Sequence, residues 1–258
     1  MAIHESLIVN FGKHISNLPE MAVINLIRTP ERLCLFRDRF DDPTGDILCI
    51  PGIDGATLST PELVKRGLLH PSAVNWPLGQ IGCAISHMRC HLHCMRSGRP
   101  LIIFEDDAIP ASGWRYRLQS LLQDAPKDWE MLLLGWNLDS CLQLEWSTGM
   151  TSTSLCNPRY LDSEKMINAL TSVNQRSWFG LHKALGLAGY IVSPRGAQRL
   201  LSWAWPLRTL PIEVQDLPLR TCFSLDGQLN SLYPEMNSWV CFPPLVLGLN
   251  NKIVSLTE

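Results

Sequence analysis

The chain has 258 residues and a formal net charge of −2, and 46% of its residues are hydrophobic while only 18% are charged. This composition excludes intrinsic disorder, and the length allows a large core that needs neither disulfides nor a structural metal. The near balance of charges excludes the broad basic surface that a nucleic-acid backbone requires.

Short apolar runs alternate along the chain with segments of helical spacing. The runs that predict strands are 21–27, 47–50, 101–104, 131–134, 187–192 and 239–242. The predicted helices begin at Pro30, behind a Thr29 cap, and at Thr60, and two more span 79–96 and 194–203. This alternation predicts one α/β domain over residues 21–258, with a mostly parallel central sheet and helices on both faces. Residues 1–20 are predicted to be an N-terminal extension.

Three acidic residues, Glu105, Asp106 and Asp107, directly follow the apolar run 101–104. Ligands of open α/β sheets bind beyond the carboxyl ends of the strands, which is where these acids are expected to lie. Carboxylate oxygens suit Mg²⁺ or Mn²⁺ that also contacts the phosphates of a substrate. The alternative is an exposed acidic turn or helix start, where acids complement the helix dipole.

The predicted helix 79–96 carries His87, Cys90, His91 and Cys94 on one face. These residue types could ligate zinc, but one straight helix cannot easily place four consecutive side chains around a tetrahedral ion. Free cysteine also packs well as a small apolar residue. We therefore expect the cysteines to lie in the core and one histidine to face the crevice.

The number of cysteines and the pattern of apolar runs predict the cellular location of the protein. Nine cysteines, an odd number scattered through apolar stretches, are typical of reduced thiols in a cytoplasmic protein. No apolar run approaches the roughly 18 residues of a membrane span, and residues 1–20 do not show the pattern of a signal peptide. We expect a cytoplasmic location, with peripheral contact to a membrane surface as the alternative that nine tryptophans leave open.

Four segments resemble, in order, those of glycosyltransferase family 25. They are VINLIRTPER at 23–32, GIDG at 52–55, GQIGCAISH at 79–87 and FEDD at 104–107. Two later segments, 186–197 and 241–246, are also similar to segments of this family, so that the resemblance covers about residues 21–250. The family includes lipooligosaccharide galactosyltransferases of bacteria, which act in lipopolysaccharide biosynthesis, and collagen galactosyltransferases.

The resemblance implies a Rossmann-like GT-A fold, a UDP-sugar donor, a divalent cation that is usually Mn²⁺ and otherwise Mg²⁺, and inversion at the anomeric carbon. The acceptor would be a glycan, a lipid-linked glycan or a peptide. Ile27, Gln80 and Leu187 stand where the family often has Asp, Glu and Thr. The donor sugar, galactose or a related hexose, is therefore left open.

Sugar transfer needs the charge of the leaving diphosphate neutralised, which predicts Glu105 and Asp107 as metal ligands, with Asp106 assisting them or contacting the donor. It also needs a base for the proton of the acceptor hydroxyl. Asp226 is the first candidate, and Glu213 is its substitute. The alternatives for Asp226 are a cap of a helix over 227–232 and a ligand of the metal or acceptor.

Five further residues are predicted to serve the donor. Asn25, Leu26 and Arg28 end the first strand and would bracket the nucleotide through hydrogen bonds and charge. Ser86 and His87 are expected to line the donor pocket or to orient the acidic cluster. The alternative for Ser86 and His87 is a buried, hydrogen-bonded pair with a structural role only.

These observations favour an inverting glycosyltransferase. A catalytically silent module of the same fold, which binds a sugar nucleotide or a glycan without turnover, is the main alternative. A zinc-binding interaction protein is a third possibility.

Overall fold

The computed structural model describes residues 18–155, 163–172, 175–214 and 218–249. The strands are β1 Glu20–Asn25, β2 Leu48–Pro51, β3 Leu101–Glu105, β4 Ala108–Pro110, β5 Met131–Gly135, β6 Cys141–Ser147, β7 Met150–Leu155, β8 Ser177–Lys183, β9 Gly189–Val192, β10 Pro211–Ile212, β11 Arg220–Thr221, β12 Ser238–Phe242 and β13 Val246–Gly248. The helices are α1 Pro30–Arg39, α2 Thr60–Lys65, α3 Leu78–Ser97, α4 Trp114–Gln123, α5 Ser163–Thr171, α6 Pro194–Ala204 and α7 Leu225–Leu229. Most of the predicted extension, residues 1–17, lies outside the described residues.

Nine strands form the central sheet, in the order β2-β1-β3-β9-β5-β12-β8-β6-β7. β1 is parallel to β2 and β3, and β5 is parallel to β12. β9 is antiparallel to both of its neighbours, and β6 and β7 form an antiparallel hairpin. The predicted α/β fold is confirmed, with a mixed sheet. The β6–β7 pair is antiparallel because a hairpin lacks the long crossover that parallel pairing requires.

The two faces of the sheet carry separate apolar cores, since side chains of a strand alternate between its faces. In β3, Leu101 and Ile103 pack with α3 and α6, whereas Ile102 and Phe104 pack with α1 and α4 on the opposite side. Helices therefore cover both faces, as predicted and as a GT-A fold requires. Because β3 is buried on both faces, the residues that follow it are held rigidly at the edge of the sheet.

The predicted strands correspond to β1, β2, β3, β5, β9 and β12, and the predicted helices to α1, α2, α3 and α6. Two helix starts differ in detail. Thr29 occupies the cap position of α1, but its hydroxyl donates to Leu26 O at 3.1 Å rather than capping the helix. The cap residue of α2 is Ser59, so that Thr60 is already inside the helix.

Eight cysteines fall in the described part of the chain, and all eight are free thiols. The buried ones are Cys90, Cys94, Cys141 and Cys241. Among the described helices, none is both long enough and apolar enough to cross a membrane.

Candidate functional site

A cleft of about 660 Å³ lies beyond the carboxyl ends of β1 and β3. The parallel register pairs Ile24 with Glu105, so that the residues following both strands emerge at the same edge of the sheet. The start of α3, the loop before β9 and the first turn of α7 complete its walls. The predicted site residues that line this cleft are Leu26, Ser86, Glu105, Asp106, Asp107 and Asp226.

Asp106 is held by two partners from the first strand and helix. Arg32 of α1 forms an ion pair with its Oδ1, and Asn25 Nδ2 donates to its Oδ2 at 2.7 Å. Burial raises the pKa of Asp106, and the Arg32 charge acts in the opposite direction. Asn25 Nδ2 also donates to Thr29 O at 3.0 Å, so both of its amide hydrogens are used inside the protein. These contacts tie β1, α1 and β3 together, and they leave Asp106 poorly suited to bind a metal.

We expect Arg32→Gln to lower the free energy of unfolding by about 2 kcal/mol, because it leaves the buried Asp106 carboxylate without its counter-charge. Denaturant unfolding at neutral pH measures the loss. The double variant Arg32→Gln with Asp106→Asn should recover most of it, since no buried charge then remains. Equal stability of wild type and Arg32→Gln would show that the ion pair does not hold the site together.

Among the three consecutive acids Glu105, Asp106 and Asp107, which form the acidic triplet, it is Asp107 that has a buried oxygen, Oδ1, without a hydrogen-bond partner among the described residues. Burial, followed by the neighbouring Glu105 charge, raises the pKa of Asp107 to about 7. A buried oxygen without a donor is costly and calls for a missing partner. Asp107 and Glu105, whose side chain is 32% exposed, together offer the hard oxygen ligands that Mn²⁺ and Mg²⁺ prefer. These residues therefore fit a divalent cation.

The raised pKa of Asp107 predicts how stability depends on pH in the absence of metal. The folded state binds this proton more tightly than the unfolded chain, so the contribution of Asp107 to wild-type stability should fall as pH rises from about 4 to about 7. Asp107→Asn cannot lose a proton, and its stability relative to wild type should increase over that window. Urea unfolding of both proteins at several pH values, with a chelator present, measures the difference; a difference independent of pH would contradict the assignment.

His87 connects Glu105 to a buried hydrogen-bond chain. Its Nε2 lies 3.2 Å from Glu105 Oε1, and its Nδ1 lies 2.9 Å from the hydroxyl of Tyr190. That hydroxyl lies 2.8 Å from His91 Nε2. Burial, with a smaller contribution from His87, lowers the pKa of His91 to about 3, so His91 is neutral. His87 is thus buried and hydrogen-bonded, and it also orients one member of the acidic cluster.

Ser86 joins α3 to the loop that follows β2. Its hydroxyl donates to Gly82 O at 2.7 Å and accepts from Ile53 N at 2.8 Å. The loop approaches the helix so closely that a Cβ on Gly82 would lie 2.4 Å from Ile53 O, and one on Gly55 would lie 2.4 Å from the backbone of Leu78. Only glycine fits at these two positions, which explains why the segments 52–55 and 79–87 carry glycine there.

The remaining residues of the His–Cys face of α3 lie in the core. Cys90, His91 and Cys94 are buried, and Cys94 Sγ lies 3.4 Å from Val192 O. The expectation that the cysteines pack in the core is confirmed. His87 contacts Glu105 on the wall of the cleft, but it is itself buried and does not line the cleft that the described residues form. Four ligands from this one face therefore do not form a zinc site.

Asp226 lies in the first turn of α7, on the wall of the cleft formed with the loop before β9. Its Oδ2 accepts a hydrogen bond from Gly186 N at 2.6 Å. Ser224, not Asp226, caps the helix, because its Oγ accepts from Gly227 N at 3.3 Å. The alternative in which Asp226 is the cap is therefore wrong, and the helix spans Leu225–Leu229 rather than 227–232. Burial, followed by the negative charges of Glu105 and Asp226, raises the pKa of Cys83, which lines the same cleft.

Two predicted site residues lie away from this group. Glu213 is exposed and does not line the cleft that the described residues form, and its charge opposes the lowering of the Lys183 pKa by burial. Arg28 is half exposed, and its Nε donates to Asp54 Oδ2 at 2.6 Å. Arg28 is therefore held against the loop after β2 rather than inside the cleft.

Sequence reasoning missed three residues of the site. Arg32 was not predicted to reach the acidic triplet, and Gly186 was not predicted to hold Asp226. No local pattern indicates either contact. Cys83 is different, because its position four residues before His87 in a predicted helix places both side chains on one face.

Comparison with known proteins agrees with these observations. Residues 18–217 match the family model described as glycosyltransferase family 25 (LPS biosynthesis protein). The chain is 25% identical over 209 residues to procollagen galactosyltransferase 1 of Danio rerio, a match covering 75% of this chain and 30% of that protein. It is 28% identical over 116 residues to a glycosyltransferase 25 family member of Drosophila melanogaster, covering 39% of this chain and 19% of that protein. The chain thus spans less than a third of the length of these curated relatives.

Proposed function

Because this chain belongs to glycosyltransferase family 25, we propose that it transfers a sugar, galactose or a related hexose, from a UDP-sugar donor to an acceptor hydroxyl. The family expected from the sequence is thereby confirmed; the donor, the metal and the inverting course of the reaction are parts of the proposal. The acceptor is proposed to be a glycan, a lipid-linked glycan or a peptide.

The observation that carries this proposal is the placement of carboxylates on two walls of one cleft. Glu105 and Asp107 follow β3, whereas Asp226 stands on α7 at the other wall. Transfer with inversion needs two separate charges of this kind, one that acts on the leaving diphosphate and one that acts on the attacking hydroxyl. Asp106 does not compete for either role, since Arg32 and Asn25 occupy its oxygens.

Glu105 and Asp107 are the residues that would hold the divalent cation. The cation, when bound, would neutralise the charge that develops on the diphosphate as it leaves. The protein prepares these two ligands differently. His87 orients Glu105 through a hydrogen bond, while Asp107 keeps one oxygen without a protein donor. The donor would therefore meet a preorganised pair of carboxylates rather than mobile surface acids.

The nucleotide would extend from these acids along α1. This wall of the cleft includes Arg32, Leu35 and Arg39, and the Leu35 side chain is half exposed. An exposed leucine can cover an apolar face of the base, and a nearby arginine can pair with phosphate. Leu26 borders the same region at the end of β1.

Asp226 would act as the general base. The Gly186 N–H holds its Oδ2 and so orients the carboxylate, which leaves Oδ1 to take the proton. The acceptor oxygen then forms a bond to the anomeric carbon on one face while the bond to the diphosphate breaks on the other. The proton goes to Asp226, and UDP leaves with the electron pair, so that atoms and charges balance.

The test is a donor screen joined to a binding measurement. The purified chain is incubated with individual UDP-sugars and Mn²⁺, and released UDP is measured; calorimetry with UDP is run with and without Mn²⁺. We expect UDP release that requires the cation, with one preferred donor. Binding of UDP without turnover of any donor would favour the catalytically silent module. Absence of both binding and release would overturn the proposal.

A further inference from the structure

Cys83, His87 and Glu105 bring one sulfur, one nitrogen and one oxygen ligand atom together at the wall of the cleft. The three atoms all lie within 4.8 Å of one another. Glu105 Oε1 is 3.2 Å from His87 Nε2 and 3.9 Å from Cys83 Sγ. Ligand atoms around a tetrahedral zinc ion are about 3.3–3.8 Å apart. We propose that these three side chains form a binding site for Zn²⁺ or a similar thiophilic divalent ion.

The fold delivers the three ligands from rigid elements. Cys83 and His87 are four residues apart on α3, a helix of 20 residues, and so lie one above the other on the same face. Glu105 is the last residue of β3, whose other four residues are buried. A site built on a helix and a strand needs only small shifts to close around an ion.

The outer contacts of His87 are those of a metal-binding histidine. A ligating imidazole usually hydrogen-bonds through its second nitrogen to a fixed partner, which sets the orientation of the ring. Here Nδ1 lies 2.9 Å from the Tyr190 hydroxyl, which His91 holds from the other side. His87 is fully buried, and its Nε2 lies within hydrogen-bond distance of Glu105 Oε1.

The ligand types select the class of ion. Thiolate and imidazole ligands suit zinc, whereas Mn²⁺ and Mg²⁺ prefer oxygen alone. Cys83 and Glu105 both line the cleft, so the fourth position of a tetrahedral ion would face it. Burial and nearby carboxylates raise the pKa of Cys83, and an incoming ion must displace the thiol proton, as thiophilic ions do on binding cysteine.

Glu105 is shared between this site and the cation site proposed above, so one ion excludes the other from it. Zn²⁺ is therefore expected to inhibit transfer that depends on Mn²⁺. This consequence rests on the proposed function, whereas the zinc site itself does not.

Metal titration of the chelator-treated protein tests the site directly. We expect the wild type to bind Zn²⁺ in calorimetry, and Co²⁺ in the same site to give a sulfur-to-metal charge-transfer band. Cys83→Ser should remove the band and weaken Zn²⁺ binding by at least about 100-fold, since loss of an outer partner alone costs about 10–100-fold. Cys34→Ser, which changes an exposed thiol on α1, is the matched control and should bind as the wild type does.

An unchanged band or affinity in Cys83→Ser, or no Zn²⁺ binding by the wild type, would overturn the inference. Far-ultraviolet circular dichroism of each variant shows that it is folded. Inhibition by Zn²⁺ is then measured for each protein relative to its own rate without zinc, and Cys83→Ser should need a higher zinc concentration. Cys83-dependent binding in a protein that transfers no sugar would contradict the proposed function alone, and Mn²⁺-dependent transfer without Zn²⁺ binding would contradict the zinc site alone.

Discussion

Asp107→Asn should lower kcat/KM for a UDP-sugar by about 10³-fold, which corresponds to about 4 kcal/mol of lost transition-state stabilisation. The asparagine keeps the shape of the side chain but loses the charge that the cation needs. Asp107 Oδ1 makes no hydrogen bond among the described residues, so the substitution breaks no protein contact at that atom. The variant should therefore fold, and at neutral pH it should be at least as stable as the wild type, because a buried charge has been removed.

The measurement combines released UDP with the affinity for Mn²⁺ by calorimetry, and both should fall together. Asp124→Asn makes the same change of charge at the exposed end of α4 and should leave both unchanged. If Asp107→Asn kept the wild-type affinity for Mn²⁺ and the wild-type rate, the acidic triplet could not be the metal site.

Asp226→Asn should lower kcat by about 10²–10⁴-fold, the usual contribution of a positioned general base. The amide oxygen of asparagine can still accept the hydrogen bond from Gly186 N, so the first turn of α7 should stay in place. Binding of the donor should change little, because the lost group acts on the acceptor hydroxyl. Rates at saturating donor, with UDP affinity measured separately, distinguish these effects.

Glu213→Gln provides the comparison for Asp226, since Glu213 is the second carboxylate that the sequence offers as a base. Glu213 is exposed and lies outside the described lining of the cleft, so its substitution should alter kcat less than about twofold. A large loss of kcat in Glu213→Gln, with full activity in Asp226→Asn, would make Glu213 rather than Asp226 the general base. Glu213 would then have to reach the acceptor hydroxyl.

The three consecutive acids have different partners, and this difference explains how so much negative charge is tolerated in one place. Arg32 and Asn25 neutralise and hold Asp106, whereas His87 hydrogen-bonds Glu105. Asp107 alone keeps a buried oxygen without a donor among the described residues. A structural role for Asp106 is therefore compatible with functional roles for Glu105 and Asp107, although the three acids are consecutive in the sequence.

The strands that position the site could be predicted from local pattern. The apolar run that became β3 ends where three acids begin, and the run that became β1 ends at Asn25. Parallel pairing of these two runs brings their ends to one edge of the sheet. Much of the chain between β5 and β9 was not predicted, because β6 and β7 are rich in polar residues and β7 is exposed along its length.

The sequence by itself therefore determined the alternation of strands and helices, the edge of the sheet where the acids lie, and the family. Only the tertiary structure decided which partner each charged group has: Arg32 with Asp106, Gly186 with Asp226, and Cys83 with His87 and Glu105. The physical reason is that periodicity within a segment records which face of that segment is buried. It carries no information about which atoms of a distant segment pack against that face, since those contacts depend on how all the elements fit together.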